Sequence, residues 1–159
     1  MMTDLAPSRA GAPSIASAGH PGPRAEHPAV VLLYSHDPQV RHTMRLAIGT
    51  RPAPDLHVRF VEASTHDEVI RLVDSTDFDL LVLDGEAHPA GGLGIARQLK
   101  DEIPDCPPTC VVIARAADRW LAAYARVDAT LTHPLDPMTT GQTVAALLRS
   151  RAAGVPSVR

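Results

Sequence analysis

One stretch governs what this chain can fold into: Phe78-Asp79-Leu80-Leu81-Val82-Leu83-Asp84-Gly85-Glu86. Leu80 to Leu83 run without polar interruption and stop at a carboxylate. A short apolar run bounded by turn residues predicts a strand buried on both faces. Gly85 ends it, so Asp84 stands at the carboxyl end of a central strand. In open α/β sheets that edge is where ligands and chemistry collect.

The rest of the chain repeats the pattern. Residues 1–28, rich in Ala, Pro, Ser and Gly, lack the apolar content to offset chain entropy and are expected to be a disordered arm. Ala29 to Tyr34 is another buried strand. Asp37 as N-cap and Pro38 at the first helical position open a helix with Val40, Met44, Ala47 and Ile48 on its apolar face. Leu56 to Ala63 alternates, which predicts a strand nearer the sheet edge. Ser64 to Asp74 is a short helix capped by Thr65 or Ser64. After the central strand, Leu93 to Ile103 is a helix, Thr109 to Ala114 a strand, Ala117 to Arg126 a helix, Asp128 to Thr132 a strand and Met138 to Ser150 the last helix. Residues 151–159 are expected to fray.

Five strands alternating with five helices require a doubly wound α/β fold, a parallel sheet with helices on both faces. Every strand then ends on one edge, where Ser35, His36 and Asp37, Asp84 and Glu86, Ile113 to Arg115, and His133 converge. The predicted domain spans 29–150.

Composition excludes several classes. The net charge of −3 argues against nucleic-acid binding through bulk charge, and no helix-turn-helix is present. Cys106 and Cys110 fit neither a disulfide framework nor a metal pair and read as inert thiols. No signal-peptide core and no membrane span appears, so a cytoplasmic protein is expected. No nucleophile has a paired base, which argues against an enzyme. Gly91-Gly92-Leu93-Gly94 lacks the spacing of a nucleotide loop and reads as a flexible helix start. Trp120 and Tyr124, four apart on the fourth helix, read equally as core or as a partner patch.

Over roughly residues 29–150 the chain resembles the receiver domain of bacterial response regulators, a flavodoxin-like five-stranded fold. The resemblance is carried by the strand ending in Asp84, Gly92-Leu93 after its loop, Val112-Ile113-Ala114-Arg115, and Leu131-Thr132-His133-Pro134-Leu135-Asp136-Pro137. It implies that Asp84 is the phosphoacceptor position. It also implies departures. Ser35 and His36 fall where the family has the acidic pair that holds Mg²⁺, and only Asp37, one further on, is acidic. Ile113, or Ala114 in the adjacent register, replaces the Ser or Thr that closes the fourth strand. Thr130 replaces the switch aromatic, and His133 replaces the lysine. More narrowly, Leu83 to Glu102, Cys106-Pro107-Pro108 and Trp120-Leu121 are similar to orphan single-domain receivers of high-GC bacteria linked with the respiratory NADH dehydrogenase.

Phosphoryl transfer to a carboxylate needs charge neutralisation by Mg²⁺ and a lysine. Asp84 with Ser35 and His36 is a poor site for an ion that wants hard oxygens in an octahedral shell, and Asp37 or Glu86 would have to turn inward to help. The expectation is therefore a degenerate receiver, a protein-interaction module without a cofactor. It would dock a partner through the fourth helix, fifth strand and fifth helix, and its lost switch pair, Ile113 and Thr130, would leave one constitutive conformation. One alternative is a working phosphoacceptor served by a histidine kinase, with Mg²⁺. Another is an accessory subunit on the cytosolic face of the respiratory NADH dehydrogenase, peripheral to the membrane. A third use of the edge is a transition-metal or pH-sensing cluster of His36, Asp84 and His133, with His88 or Glu86 nearby.

Overall fold

The computed structural model describes residues 27–158, so the arm expected over 1–28 lies, except for His27 and Pro28, outside the described residues. Strands β1 (Ala29–Tyr34), β2 (Val58–Ala63), β3 (Leu80–Asp84), β4 (Thr109–Ile113) and β5 (Ala129–Thr132) form one parallel sheet in the order β2-β1-β3-β4-β5. Helices α1 (Pro38–Ile48), α2 (His66–Ser75), α3 (Gly92–Glu102), α4 (Arg119–Tyr124) and α5 (Pro137–Ala152) join them. The doubly wound α/β expectation is met.

Two apolar layers hold the sheet. On one face Val31, Leu33, Leu80, Val82 and Val112 pack against Met44 and Ile48 of α1 and Val144 and Leu148 of α5. On the other, Leu32, Tyr34, Leu81, Leu83 and Val111 pack against Val69 of α2 and Ile95, Ala96 and Leu99 of α3. The two-residue alternation of each strand divides its side chains between these layers. β3 and β4 are buried at every position, as continuous apolar runs require. β2, at the sheet's edge, is buried only at its two ends, Val58 and Ala63, with Arg59 and Glu62 exposed.

The helix starts follow their caps. Asp37 accepts from the Gln39 N–H at 2.8 Å, Thr65 from the Glu68 N–H at 3.1 Å and Asp136 from the Thr139 N–H at 2.8 Å. Glu68 reaches back to the Ser64 N–H at 2.9 Å. The boundaries move where such signals fail. β2 starts at Val58 and not Leu56, because the Leu56 N–H turns back to the Ala53 carbonyl at 3.0 Å. The fourth helix is shorter than the expected 117–126. Ala116–Asp118 forms a 3₁₀ turn, Asp118 makes no side-chain cap, and Arg126 takes a φ of +58° that ends the segment.

The amino ends of the strands are tied by carboxylates. Asp79 accepts from the Val30 N–H at 2.8 Å. Asp128 accepts from the Thr109 N–H and from Lys100 Nζ, each at 2.8 Å, in a pair whose side chains are 2% and 8% exposed. Beyond Ser150 the described residues of the tail make fixed bonds. α5 runs on to Ala152, the Val158 N–H donates to Asp128 at 2.6 Å, and Ser157 Oγ donates to the Cys106 carbonyl at 2.8 Å. Backbone groups that find fixed acceptors have no reason to remain free.

Candidate functional site

The strand order reverses between β1 and β3, and there their carboxyl ends stand side by side. A crevice at this switch point is where open α/β sheets place their sites. Three consecutive residues leave β1 toward the β3 side, and each makes a different bond.

Tyr34, fully buried, donates its hydroxyl to the Ala90 carbonyl at 2.5 Å. Burial pushes the phenol pKa up, and the negative charge of Asp84 pushes it the same way. Ser35, also fully buried, donates Oγ–H to Asp84 Oδ2 at 2.8 Å and accepts the Asp37 N–H at 3.0 Å. Its carbonyl is held by Arg41 at 2.7 Å. His36 is exposed, and its Nδ1 accepts the His88 N–H at 3.0 Å, so Nε2 carries the proton of the neutral ring. The His36 and His88 rings lie 5.6 Å apart.

Asp84 is 2% exposed. Its second oxygen, Oδ1, accepts the Glu86 N–H at 2.9 Å. Both oxygens are thus occupied, by a hydroxyl and an amide. The backbone around it is close-packed. A Cβ on Gly92 would come within 2.8 Å of the Asp84 carbonyl oxygen and of Leu83 Cβ. The Gly91-Gly92 pair therefore serves the approach of α3 to β3.

The sequence-predicted residues divide. Ser35 and Asp84 are brought together, and Asp37 serves as the α1 cap. Glu86 lends its backbone, while its side chain is exposed. Ile113 is buried in the α2–α3 layer, and Thr130 pairs with Val111 on β5. His133 donates its N–H to the Ile113 carbonyl at 3.0 Å, while among the described residues the Asp84 carboxylate is bonded by Ser35 Oγ and the Glu86 N–H. The trio His36, Asp84 and His133 is not assembled. Among the described residues no three His, Cys, Asp or Glu side chains are placed to hold a metal ion. The reason is local: the His36 ring turns to the β3–α3 loop, and Ser35 takes the place beside Asp84.

Sequence reasoning missed Tyr34 as part of this edge. The signal was its position, last in an apolar strand with a hydroxyl to place. The two thiols are buried, which pushes Cys106 up to about 11 and Cys110 up to about 12. Trp120 and Tyr124 stand at the surface. No helix among the described residues is long and apolar enough to cross a membrane.

A five-stranded sheet in this order, with an aspartate at the end of β3 at the switch point, defines the receiver class of fold. No family model matches the chain. Two strains of Mycobacterium tuberculosis each carry a protein described as an uncharacterized response regulatory protein. Each is 47% identical over 123 residues, covering 77% of this chain and 92% of the relative. Among solved structures, a CheY-like receiver domain from Methanospirillum hungatei superposes with a TM-score of 0.66 at 14% identity, over 79% of this chain and 98% of that one. A LuxR-family two-component response regulator from Aurantimonas gives a TM-score of 0.66 at 25% identity, over 78% and 87%. The chain belongs to the response regulators, receiver-domain proteins of two-component signalling.

That fold family implies Mg²⁺ at this edge. Among the described residues, the groups bonded to the Asp84 carboxylate are one hydroxyl and one backbone N–H, and a donor N–H cannot ligate a cation. With Asp37 engaged at the helix cap and the Glu86 side chain exposed, a second carboxylate is missing, and the residues do not fit the ion.

Proposed function

We propose that this chain is a degenerate receiver: an interaction module that works by docking a protein partner and is not switched by Mg²⁺-dependent phosphorylation of Asp84. One observation carries the reading. Each oxygen of the buried carboxylate accepts one bond from a neutral donor, Ser35 Oγ and the Glu86 N–H at 2.8 and 2.9 Å, and no second carboxylate is turned to it where an acceptor site would share a metal. The residues at the switch positions support it. Ile113 has no hydroxyl to follow a phosphoryl group, and Thr130 has no ring to move. Catalysis of its own is not part of this reading.

The test is chemical. The protein is incubated with acetyl phosphate and Mg²⁺, and its intact mass is measured. No gain is expected. A gain of about 80 Da, the mass of a phosphoryl group, that disappears in Asp84→Asn overturns the reading and makes the chain a phosphoacceptor for a histidine kinase. In affinity purification at native expression level, the respiratory NADH dehydrogenase, implied as a partner by resemblance, is the first complex to look for.

A further inference from the structure

Aromatic residues make up 3% of this chain, yet its single tryptophan and one of its two tyrosines stand in the open. Trp120 is 68% exposed and Tyr124 66%. They lie four residues apart in α4, so they share one face of the helix. A chain short of aromatic side chains ordinarily spends them in its core. Tyr34 and Phe78 are spent that way and Phe60 packs against the core, but these two rings are left to solvent.

The patch reaches across to α3. Arg97 holds its guanidinium 4.2 Å from the centre of the Tyr124 ring, and Arg119 is exposed beside Trp120. Neither arginine forms an ion pair among the described residues, whereas the nearby Arg115 and Arg126 are matched by Asp118 and Asp101. On a chain of net charge −3, an unmatched cation over the Tyr124 ring and a second one residue before Trp120 are a local reversal of sign. Trp, Tyr and Arg are the types that dominate binding energy at interfaces.

We propose that the α3–α4 face is a docking surface for an acidic segment of a partner protein, whose carboxylates meet Arg97 and Arg119 while its apolar side chains cover Trp120 and Tyr124. This rests on the interaction-module reading and moves the contact away from the α4–β5–α5 face expected from sequence. A second copy of this chain is a poor occupant. An isologous contact would set the same unmatched arginines against each other.

The test uses the full chain at native expression level. A photo-crosslinking p-benzoylphenylalanine is placed at exposed Ala123, next to Tyr124 in the sequence of α4. In a separate variant it is placed at Met138 of α5, which is 72% exposed. The crosslinked peptide is then sequenced by mass spectrometry. The expected result is a crosslink from position 123 to a partner segment carrying Asp or Glu. Its yield should fall about tenfold or more in Trp120→Ala and in Arg97→Glu/Arg119→Glu, hot-spot-sized losses, and be kept in Arg119→Lys. A crosslinked segment without carboxylates, a segment of a second copy, or a yield indifferent to charge reversal overturns the proposal. A crosslink from 138 alone overturns this face and leaves the docking reading standing. Silence at both positions counts against both.

Discussion

The Ser35 hydroxyl and the Asp84 carboxylate, 49 residues apart in the chain, meet at 2.8 Å in a fully buried bond. This bond joins the two strands at the point where the sheet reverses its order. A hydroxyl can serve here because it donates to the carboxylate and accepts the Asp37 N–H at once.

Replacing Ser35 by Ala removes both bonds, one fully buried and one part-buried. The buried carboxylate oxygen and the Asp37 N–H each lose a partner, so a destabilisation of about 1–3 kcal/mol is expected. Urea denaturation measures it as a lower midpoint at unchanged slope. In an Asp84→Asn background the same substitution should cost less, because the charge that the hydroxyl serves has gone. Equal costs in both backgrounds would mean that the bond contributes little.

The His66 side chain joins α2 to α3. Gln98 donates its amide N–H to Glu102 at 3.1 Å, which leaves its oxygen for His66 Nε2 at 2.6 Å. The bond to Gln98 holds the imidazole pKa above its ordinary value, and Asp67 adds to the effect. A raised folded pKa means that the folded chain holds the proton more tightly than the unfolded one. The stability it contributes is complete below the unfolded imidazole pKa, about 6.5, and is lost as the pH rises through the folded value. An NMR titration of His66 should show a midpoint above the reference that Gln98→Leu brings down. A midpoint unmoved by that substitution would remove Gln98 as the cause.

Lys100 and Asp128 form a buried pair at 2.8 Å. Removing one member strands the other, so Lys100→Met and Asp128→Ala should each cost about 3–5 kcal/mol by chemical denaturation. The double substitution Lys100→Met/Asp128→Leu should recover part of the loss, since no lone charge then remains inside. Single substitutions within about 0.5 kcal/mol of the wild type, the range of neutral surface changes, would show that the pair is hydrated and not structural.

Much of the fold was legible because it is written locally. Ala29 to Tyr34 and Leu80 to Leu83 are apolar runs too short for helices, and Asp37, Thr65 and Asp136 announce helix starts in single residues. The fourth helix was drawn too long because nothing local marks its limits: Asp118 makes no cap, and Arg126 stops the segment by a conformation that its side chain does not advertise. At the site, the convergence of Ser35 and Asp84 on one edge followed from strand polarity. Their mutual bond, the reach of Tyr34 to Ala90 and the turning of His36 to His88 did not, because each depends on rotamers chosen across the sheet. The bonds of the tail were not legible for a similar reason. Its acceptors, Asp128 and the Cys106 carbonyl, lie 30 and 51 residues away in sequence.

Lys100 is the only lysine in the chain, and its ammonium group is sealed against Asp128. The folded molecule therefore offers acylating reagents no side-chain amine. Modification of that nitrogen has to wait for the structure around β4 and β5 to open, and its rate becomes a clock for that opening.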